Sequence, residues 1–506
     1  MSINYLINQL ISYGIKEGLI DEYDAIYCAN RLIDIFKVNT FEFEETKPVA
    51  INELLEAMCD YAYENKIIDS NDVTVYDLFD TKLMDVLMPR PSTVKETFYN
   101  KFKENPVEAT NYYYDLAIKS NYIRMDRINK NICFKHECEY GLLDITINLS
   151  KPEKDPKLIA LAKSMPSAGY PKCALCYENM GFAGNLNQAA RQNHRIMPIV
   201  LDGEDYFFQY SPYVYYNEHT IVFNKKHTPM IISQNAFSKL LDFVRQVPHY
   251  FVGSNADLPI VGGSILSHDH FQGGHYVFPM FETNVLAEYT IKDYNCKIEY
   301  INWPLDTIRL SGSNKDEIVK LAGIMLHTWK FFSHEEVEVY SHTDGTPHNT
   351  ITPIARNVDG KYELYLVLRN NRTTEAHPEG LFHPYANLHH IKKENIGLIE
   401  VMGLAVLPKR LKEEMDLLKK VLLGISPISD LDSEPLLKHK EWALELLDKH
   451  SFNSENVNEL VNFEIGEVFK QVLEACGVFK FGDRLKAMQA FITAVQINCA
   501  IASCSD

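Results

Sequence analysis

Along the first 130 residues the apolar positions recur at helical spacing. Leu6, Leu10 and Ile11, then Ile26, Ala29, Ile33 and Phe36, fall on faces of a 3.6-residue repeat. Pro89 and Pro91 interrupt this pattern, and a second helical stretch runs from Ser92 to Asn129 with a break near Pro106. From Phe134 the period changes to two. Residues 141–149 alternate as a strand does, while 206–210 and 215–223 are aromatic and β-branched, which also predicts strands. A helix is expected over 235–247, further strands around 258–278, and a helix over 316–332. Residues 349–356 and 362–369 read as two strands joined through Asn357-Val358-Asp359-Gly360-Lys361, a hairpin. The apolar run 396–407 reads as one more strand, and from Pro408 the chain reads as helical to its end.

This order predicts an α+β protein. Strand-plus-helix units lie on both sides of residue 345, so the expectation is a duplicated antiparallel sheet with packed helices, flanked by helical N-terminal and C-terminal regions. The expected segments are 1–133 (helical), 134–345 (carrying the chemistry), 346–425 (second half) and 426–506 (helical). With 506 residues and 46% hydrophobic content, the chain can build a large core. The net charge of −18 argues against nucleic acid and anionic membranes as partners, yet leaves room for a locally positive pocket. Ten scattered cysteines read as reduced thiols. Charged residues break the N-terminal apolar pattern early, and no long apolar run is evident, so a cytoplasmic protein without a signal peptide or membrane span is expected.

The most informative stretch is Gly262 to Gly274. It sets His268, His270 and Gln272 at alternate positions with a glycine pair on each side. On an extended strand these three side chains would share a face. A neutral imidazole is a good nucleophile near pH 7, and an amide donor beside it can hold a phosphate oxygen as charge develops. Flanking glycines let a ligand or another backbone come close. A pair of hydrogen-bonded strand histidines is the plain alternative, but it does not account for the whole pattern.

Other constellations are less specific. Cys173-Ala174-Leu175-Cys176 offers two thiolates for one tetrahedral metal, and His227 and His268 are the best candidates to complete a Cys₂His₂ set suited to structural zinc. Two unliganded thiols or a redox pair remain open. Arg191, Asn193 and Arg195 precede a strand, where they suit phosphate and base contacts or a solvated turn. Asn255 reads as a base or ribose contact or as a turn residue. The histidines from His377 to His390 fit no tight ligand spacing and read mostly as loop or surface residues, with 389–393 as a source of positive charge.

These motifs together resemble the class II galactose-1-phosphate uridylyltransferases, and His-x-His-x-Gln marks the transferase branch of the histidine-triad superfamily. The likeness spans the whole chain. It implies histidine-triad-like halves and uridylyl transfer from UDP-glucose to galactose-1-phosphate by a ping-pong route. In that reaction His270 is the nucleophile, Gln272 the phosphate holder and His268 a support. It further implies zinc on Cys173, Cys176, His227 and His268, with no organic cofactor. Nucleotide contacts are implied at Asn255, Gly263 and Ser264, and hexose contacts in the second half, with Glu400 as the candidate. The implied partners are a UDP-sugar and a hexose-1-phosphate, in a homodimer. Class I relatives carry proline between the two histidines, where this chain has Asp269. The nearest alternative is a dinucleoside-polyphosphate phosphorylase, which would share His270 and Gln272 but accept inorganic phosphate. A zinc-stabilised nucleotide-binding protein without turnover and a metal-dependent hydrolase built on His268 and His270 are the readings from other classes.

Overall fold

The computed structural model describes residues 2–150, 169–263 and 265–503. The class is α+β, with antiparallel sheet, packed helices and helical stretches at both ends of the chain. The chain forms two compact units, Met1–Lys130 with Ser150–His227, and Asn131–Leu149 with Thr228–Asp506. Their boundaries fall at 130, 149 and 227. Strand pairing explains part of this. Gly141–Ile147 runs antiparallel to Ile132–Cys138 and parallel to Leu404–Leu407, so residues 131–149 fold with chain far downstream.

The first unit opens with helices Ile3–Lys16, Ala25–Phe36, Ile51–Glu64, Val73–Asp85, Pro91–Glu104 and Pro106–Lys119. Ser2, Asp72 and Asn105 cap three of them by accepting from backbone N–H groups in the first turn. Pro91 and Pro106 occupy first-turn positions, where a missing N–H costs nothing. Strands Met197–Leu201, Glu204–Tyr210 and Thr220–Asn224 form an antiparallel meander. Phe98 and Tyr113 pack their rings on Phe208, and the Tyr210 hydroxyl donates to the Thr110 carbonyl at 3.0 Å. The helices are thus bolted to the strands by aromatic side chains whose polar tips are satisfied.

In the second unit, His270–Gly274, Phe251–Gly253, Asn349–Val358, Lys361–Asn370, Thr307–Gly312, Lys297–Ile301 and Val285–Tyr289 pair in that order, all antiparallel. The expected hairpin is present, with a tighter turn than the one read from sequence. Strand pairing continues to Val358↔Lys361, leaving Asp359 and Gly360 at φ 51° and 81°, the two left-handed residues of a type I′ turn. The expected strand over 396–407 is shorter. Leu398–Val401 is helical and only Leu404–Leu407 is strand, because the chain reverses at Gly403, whose φ of 102° disfavours any residue with a side chain.

The C-terminal helices are locked to the sheet by a buried carboxylate. Asp306 is fully buried, accepts from the Tyr300 hydroxyl at 2.5 Å and the Phe479 N–H at 2.8 Å, and pairs with Arg484 at 3.1 Å. Arg484 begins the last helix, Arg484–Ser503. Its Arg484–Ala502 segment is long and apolar enough to cross a membrane by length and composition, against the expectation of no such run. One face, with Met488, Phe491, Ile492 and Val495, is buried, and Phe491 meets Trp329 edge-on.

A second lock joins helix Val457–Ala475 to strand Ile132–Cys138. His136 is buried and shares a 2.8 Å hydrogen bond with Glu467, while a Cβ at Gly466 would lie 2.2 Å from the His136 ring. Gly466→Ala is expected to destabilise the protein. Overpacking costs about 1–3 kcal/mol, more than the roughly 1 kcal/mol that alanine gains as a helix former. A lower urea midpoint checks this, and an unchanged or raised midpoint would contradict the close packing.

Candidate active site

The strand carrying the histidine motif begins at His270. His270 and Gln272 therefore share a strand face, whereas His268 lies two residues ahead of the strand. His268 and His270 are both buried and Gln272 is half-buried. The His270 Nδ1–H donates to the His268 carbonyl at 2.7 Å. This fixes the tautomer and leaves Nε2 with its lone pair. Burial is the largest effect on the His270 pKa and lowers it, so the ring is neutral near pH 7. A neutral imidazole with one nitrogen tied back and the other unprotonated is arranged for nucleophilic attack.

Gln272 opens into a cavity of about 470 Å³ that it shares with Asn255, Gly263 and Glu400. Asn255 is the organising side chain. Its Oδ1 accepts from the Leu398 N–H at 2.9 Å, and a Cβ at Gly263 would come within 2.7 Å of its Nδ2. The glycine pair at 262–263 thus makes room for Asn255 and for the Ala256 and Leu258 carbonyls. Ser264 lies outside the described residues. Glu394 and Asn395, which the sequence did not single out, line the same cavity. Behind them Lys392 is buried and pairs with Glu400 at 3.0 Å and Glu394 at 3.5 Å. Lys392 is therefore a tether for carboxylates and not the loose positive charge that 389–393 suggested.

In the first unit, the Cys173 and Cys176 sulfurs lie 3.6 Å apart, and Cys176 Sγ is 3.2 Å from His227 Nδ1. A tetrahedron with metal–sulfur bonds of about 2.3 Å has edges of about 3.8 Å, so the pair fits one cation. The Asn179 amide donates to both the Cys173 and Cys176 carbonyls at 2.8 Å and holds the loop in this shape. Without a metal, burial pushes the Cys176 thiol up to about 11. A cation is what would make it a thiolate near neutral pH.

The structure places the three residues of the 191–195 segment differently. Arg191 and Asn193 line a cavity of about 820 Å³ in the first unit, with Tyr122, Arg124, Arg127 and Tyr213. Arg191 sits over the Tyr122 ring at 5.5 Å. Asn193 is buried and donates to the Ser120 carbonyl at 2.9 Å. Arg195 is also buried, but its guanidinium donates to the carbonyls of Pro89, Gln192 and His194. Several C-terminal histidines expected at the surface are buried instead, His383 and His390 among them. Glu379, His383 and His389 place ligand atoms within 4.8 Å of one another, but both rings lie on the Pro384 carbonyl, which accounts for the closeness without a cation.

Residues 18–229 match the family model for the galactose-1-phosphate uridyl transferase N-terminal domain, and residues 243–444 that for its C-terminal domain. A galactose-1-phosphate uridylyltransferase from Clostridium acetobutylicum is 50% identical over 97% of this chain and 99% of its own length. Proteins of the same name from Halalkalibacterium halodurans and Bacillus subtilis are 47% and 46% identical, covering 98% and 95% of this chain and 99% and 95% of their own lengths. Among solved structures, yeast Ap4A phosphorylase Apa2 aligns at TM-score 0.32 and 14% identity over 64% of this chain and 90% of its own, too slight a likeness to weigh on function. The chain belongs to the galactose-1-phosphate uridylyltransferase family, whose members are nucleotidyltransferases.

Next to Arg191 lies a buried histidine with a measurable consequence. His194 stacks on Tyr122 at 4.1 Å and shares a 2.9 Å hydrogen bond with Gln209, and burial holds its pKa down at about 3. In the unfolded chain the value is about 6.5. As pH falls below about 6.5, the unfolded state takes up a proton that the folded state refuses, so stability is lost between about 6.5 and 3. The slope from this one group is at most about 1.4 kcal/mol per pH unit. Urea midpoints at pH 7, 6 and 5 should fall less steeply for His194→Asn than for the parent. Parallel slopes would mean that His194 is not held neutral.

Proposed function

We propose that this protein converts UDP-glucose and galactose-1-phosphate into glucose-1-phosphate and UDP-galactose through a uridylylated His270. The observation that carries the reading is the His270 ring, with Nδ1–H tied to the His268 carbonyl at 2.7 Å and Nε2 unprotonated. Nε2 attacks the α-phosphorus, an N–P bond forms, and the P–O bond to glucose-1-phosphate breaks. That leaving group is a phosphate and departs as an anion without needing a strong acid. The phosphate oxygen of galactose-1-phosphate then attacks the same phosphorus, and the N–P bond breaks. Gln272 holds a non-bridging oxygen through both steps, so its amide stabilises charge where it develops.

The rest of the cavity suits the substrate. Asn255 and Gly263 take the nucleotide end, and Glu400, held by Lys392, accepts hydrogen bonds from hexose hydroxyls. Arg191 supplies the phosphate contact in the 191–195 segment, because the Arg195 donors are already engaged on carbonyls. Asn193 supports the loop that carries Arg191. Cys173, Cys176, His227 and His268 are the residues that would hold one zinc, in a structural role. The reading takes the protein as a cytoplasmic homodimer acting on small molecules, with no part for nucleic acid or membrane.

The test uses UDP-glucose labelled in the uracil ring. Label is expected on the protein with release of one glucose-1-phosphate. His270→Ala should carry no label and lose on the order of 10⁴-fold or more in kcat. Labelling of the His270→Ala protein would move the nucleophile elsewhere, and turnover with inorganic phosphate as acceptor would favour the phosphorylase. Elemental analysis of purified protein should give close to one zinc per chain. Less than about a tenth of an equivalent would remove the four-ligand site.

A further inference from the structure

One arginine in the second unit is buried without a counter-ion. Arg369 lies on strand Lys361–Asn370, opposite Thr350 of the neighbouring strand, and its side chain is fully buried. Its guanidinium donates to the Ile396 carbonyl at 3.0 Å and to the Thr352 hydroxyl at 3.4 Å. Its Nε–H has no acceptor among the described residues, and no carboxylate among them lies within ion-pair distance of it. Arg124, Arg309 and Arg484 are less deeply buried, yet each holds a carboxylate, Asp80 at 2.6 Å, Glu299 at 2.7 Å and Asp306 at 3.1 Å. Burial lowers the Arg369 pKa, but a guanidinium keeps its proton near neutral pH. An interior charge without its opposite is among the most costly features a fold can keep.

Packing does not call for that charge. A neutral amide would serve the Ile396 carbonyl, and an apolar side chain of similar size would fill the space. The position of Ile396 supplies the reason. It belongs to the segment 394–400, whose Glu394, Asn395, Gly397 and Glu400 line the cavity that Gln272 opens into. Arg369 therefore stands directly behind that wall. The wall carries two carboxylates, and none of the residues lining the cavity is a cation. Lys392 pairs with both carboxylates, at 3.0 Å from Glu400 and 3.5 Å from Glu394. One positive charge against two negative ones leaves the wall anionic. Arg369 restores the balance, and Glu400 is the carboxylate whose charge reaches it. The Cys476 thiol, which also feels Arg369, does not cancel that charge, because burial pushes its pKa up to about 11 and keeps it protonated near pH 7. In an interior of low dielectric a charge acts over several ångströms with little screening.

We propose that Arg369 is a positioning residue for uridylyl transfer, whose unpaired charge makes a wall of two carboxylates able to receive an anionic diphosphate. The inference rests on the reading of the Gln272 cavity as the nucleotide-sugar site. Without Arg369, Glu394 and Glu400 repel the ligand that Gln272 and the His270 ring must meet. With it, Glu400 accepts from hydroxyls while the cavity wall as a whole is neutral. The hydrogen bond to the Ile396 carbonyl also fixes the backbone between Glu394 and Glu400. The charge weakens the fold and strengthens the site, so removing it moves stability and binding in opposite directions.

Arg369→Met removes the charge at similar volume. In a His270→Ala background, where no transfer consumes the ligand, it is expected to weaken UDP-glucose binding on the order of ten-fold by isothermal titration, and to leave uridine, a neutral probe of the same site, within about two-fold. The urea midpoint should stay level or rise. Arg369→Gln, which keeps a donor for the Ile396 carbonyl, should behave in the same way. With His270 in place, both changes should raise KM for UDP-glucose far more than they lower kcat. Equal weakening of UDP-glucose and uridine would reduce Arg369 to a packing role. Unchanged UDP-glucose affinity would remove its charge from the site, and a chain that unfolds without it would assign the charge to the fold. Each of these overturns the inference. The transfer reading fails separately. If UDP-glucose binding depends on Arg369 but the parent releases no glucose-1-phosphate, uridylyl transfer falls and the part of the charge in anion binding stands. If UDP-glucose binds neither protein, both fall.

Discussion

The chemistry proposed for this chain hangs on one short hydrogen bond, from the Nδ1–H of His270 to the carbonyl of His268. Remove it and the imidazole can carry its proton on either nitrogen and turn about its Cβ bond. With it, the lone pair sits on Nε2 and the ring plane is fixed. The acceptor is backbone, so no nearby side-chain change can delete it. The segment that supplies the carbonyl is held in turn, since the Asp269 N–H donates to the Thr228 carbonyl at 2.7 Å and the Met230 N–H to the Leu266 carbonyl at 2.9 Å. The two histidines of the motif are therefore unequal by construction. One contributes its main chain to orient the other.

Around the Gln272 cavity the same economy recurs. Asn255 reaches across to the Leu398 N–H and is packed against Gly263, so one side chain joins the segment before the motif to the one that brings Glu400. Lys392 does for the carboxylates what Asn255 does for the backbone. It is buried between Glu394 and Glu400 and holds them within reach of one another. In each case a group that is fit to touch a ligand spends part of its bonding capacity on a neighbour, which rigidifies the cavity wall before anything binds.

Much of this could be read from the chain, and the reasons differ by element. Helical periodicity at Leu6, Leu10 and Ile11 and the two prolines at first-turn positions are local signals, and the N-terminal helices obey them. The hairpin around Asp359-Gly360 is equally local. The strand expected over 396–407 is too long because apolar content does not separate a buried helical turn from a strand, and the decisive residue, Gly403, acts through its dihedral angle. Non-local facts were out of reach. Nothing in the spacing of Lys392 and Glu400 says that they pair, or that residues 131–149 fold beside Leu404–Leu407. Arg195 shows the converse, because a guanidinium in a promising sequence context can be consumed by three carbonyls that only the fold brings to it. His390 and His439 are 49 residues apart, and no motif joins them.

The carboxylate of Asp306 sets the smallest piece of this chain that can stand alone. The family models match the chain only as far as residue 444, which invites the view that the last helices are an appendage. Yet Asp306 is fully buried in the sheet region, and two of its partners, the Phe479 N–H and the Arg484 guanidinium, come from beyond that limit. Cutting the chain there would strand a charge in the interior, at a cost of several kcal/mol, comparable to the whole stability of many domains. The terminal helices belong to the second unit as a keystone belongs to an arch, and the limit of detectable family resemblance is not a place where the protein can be divided.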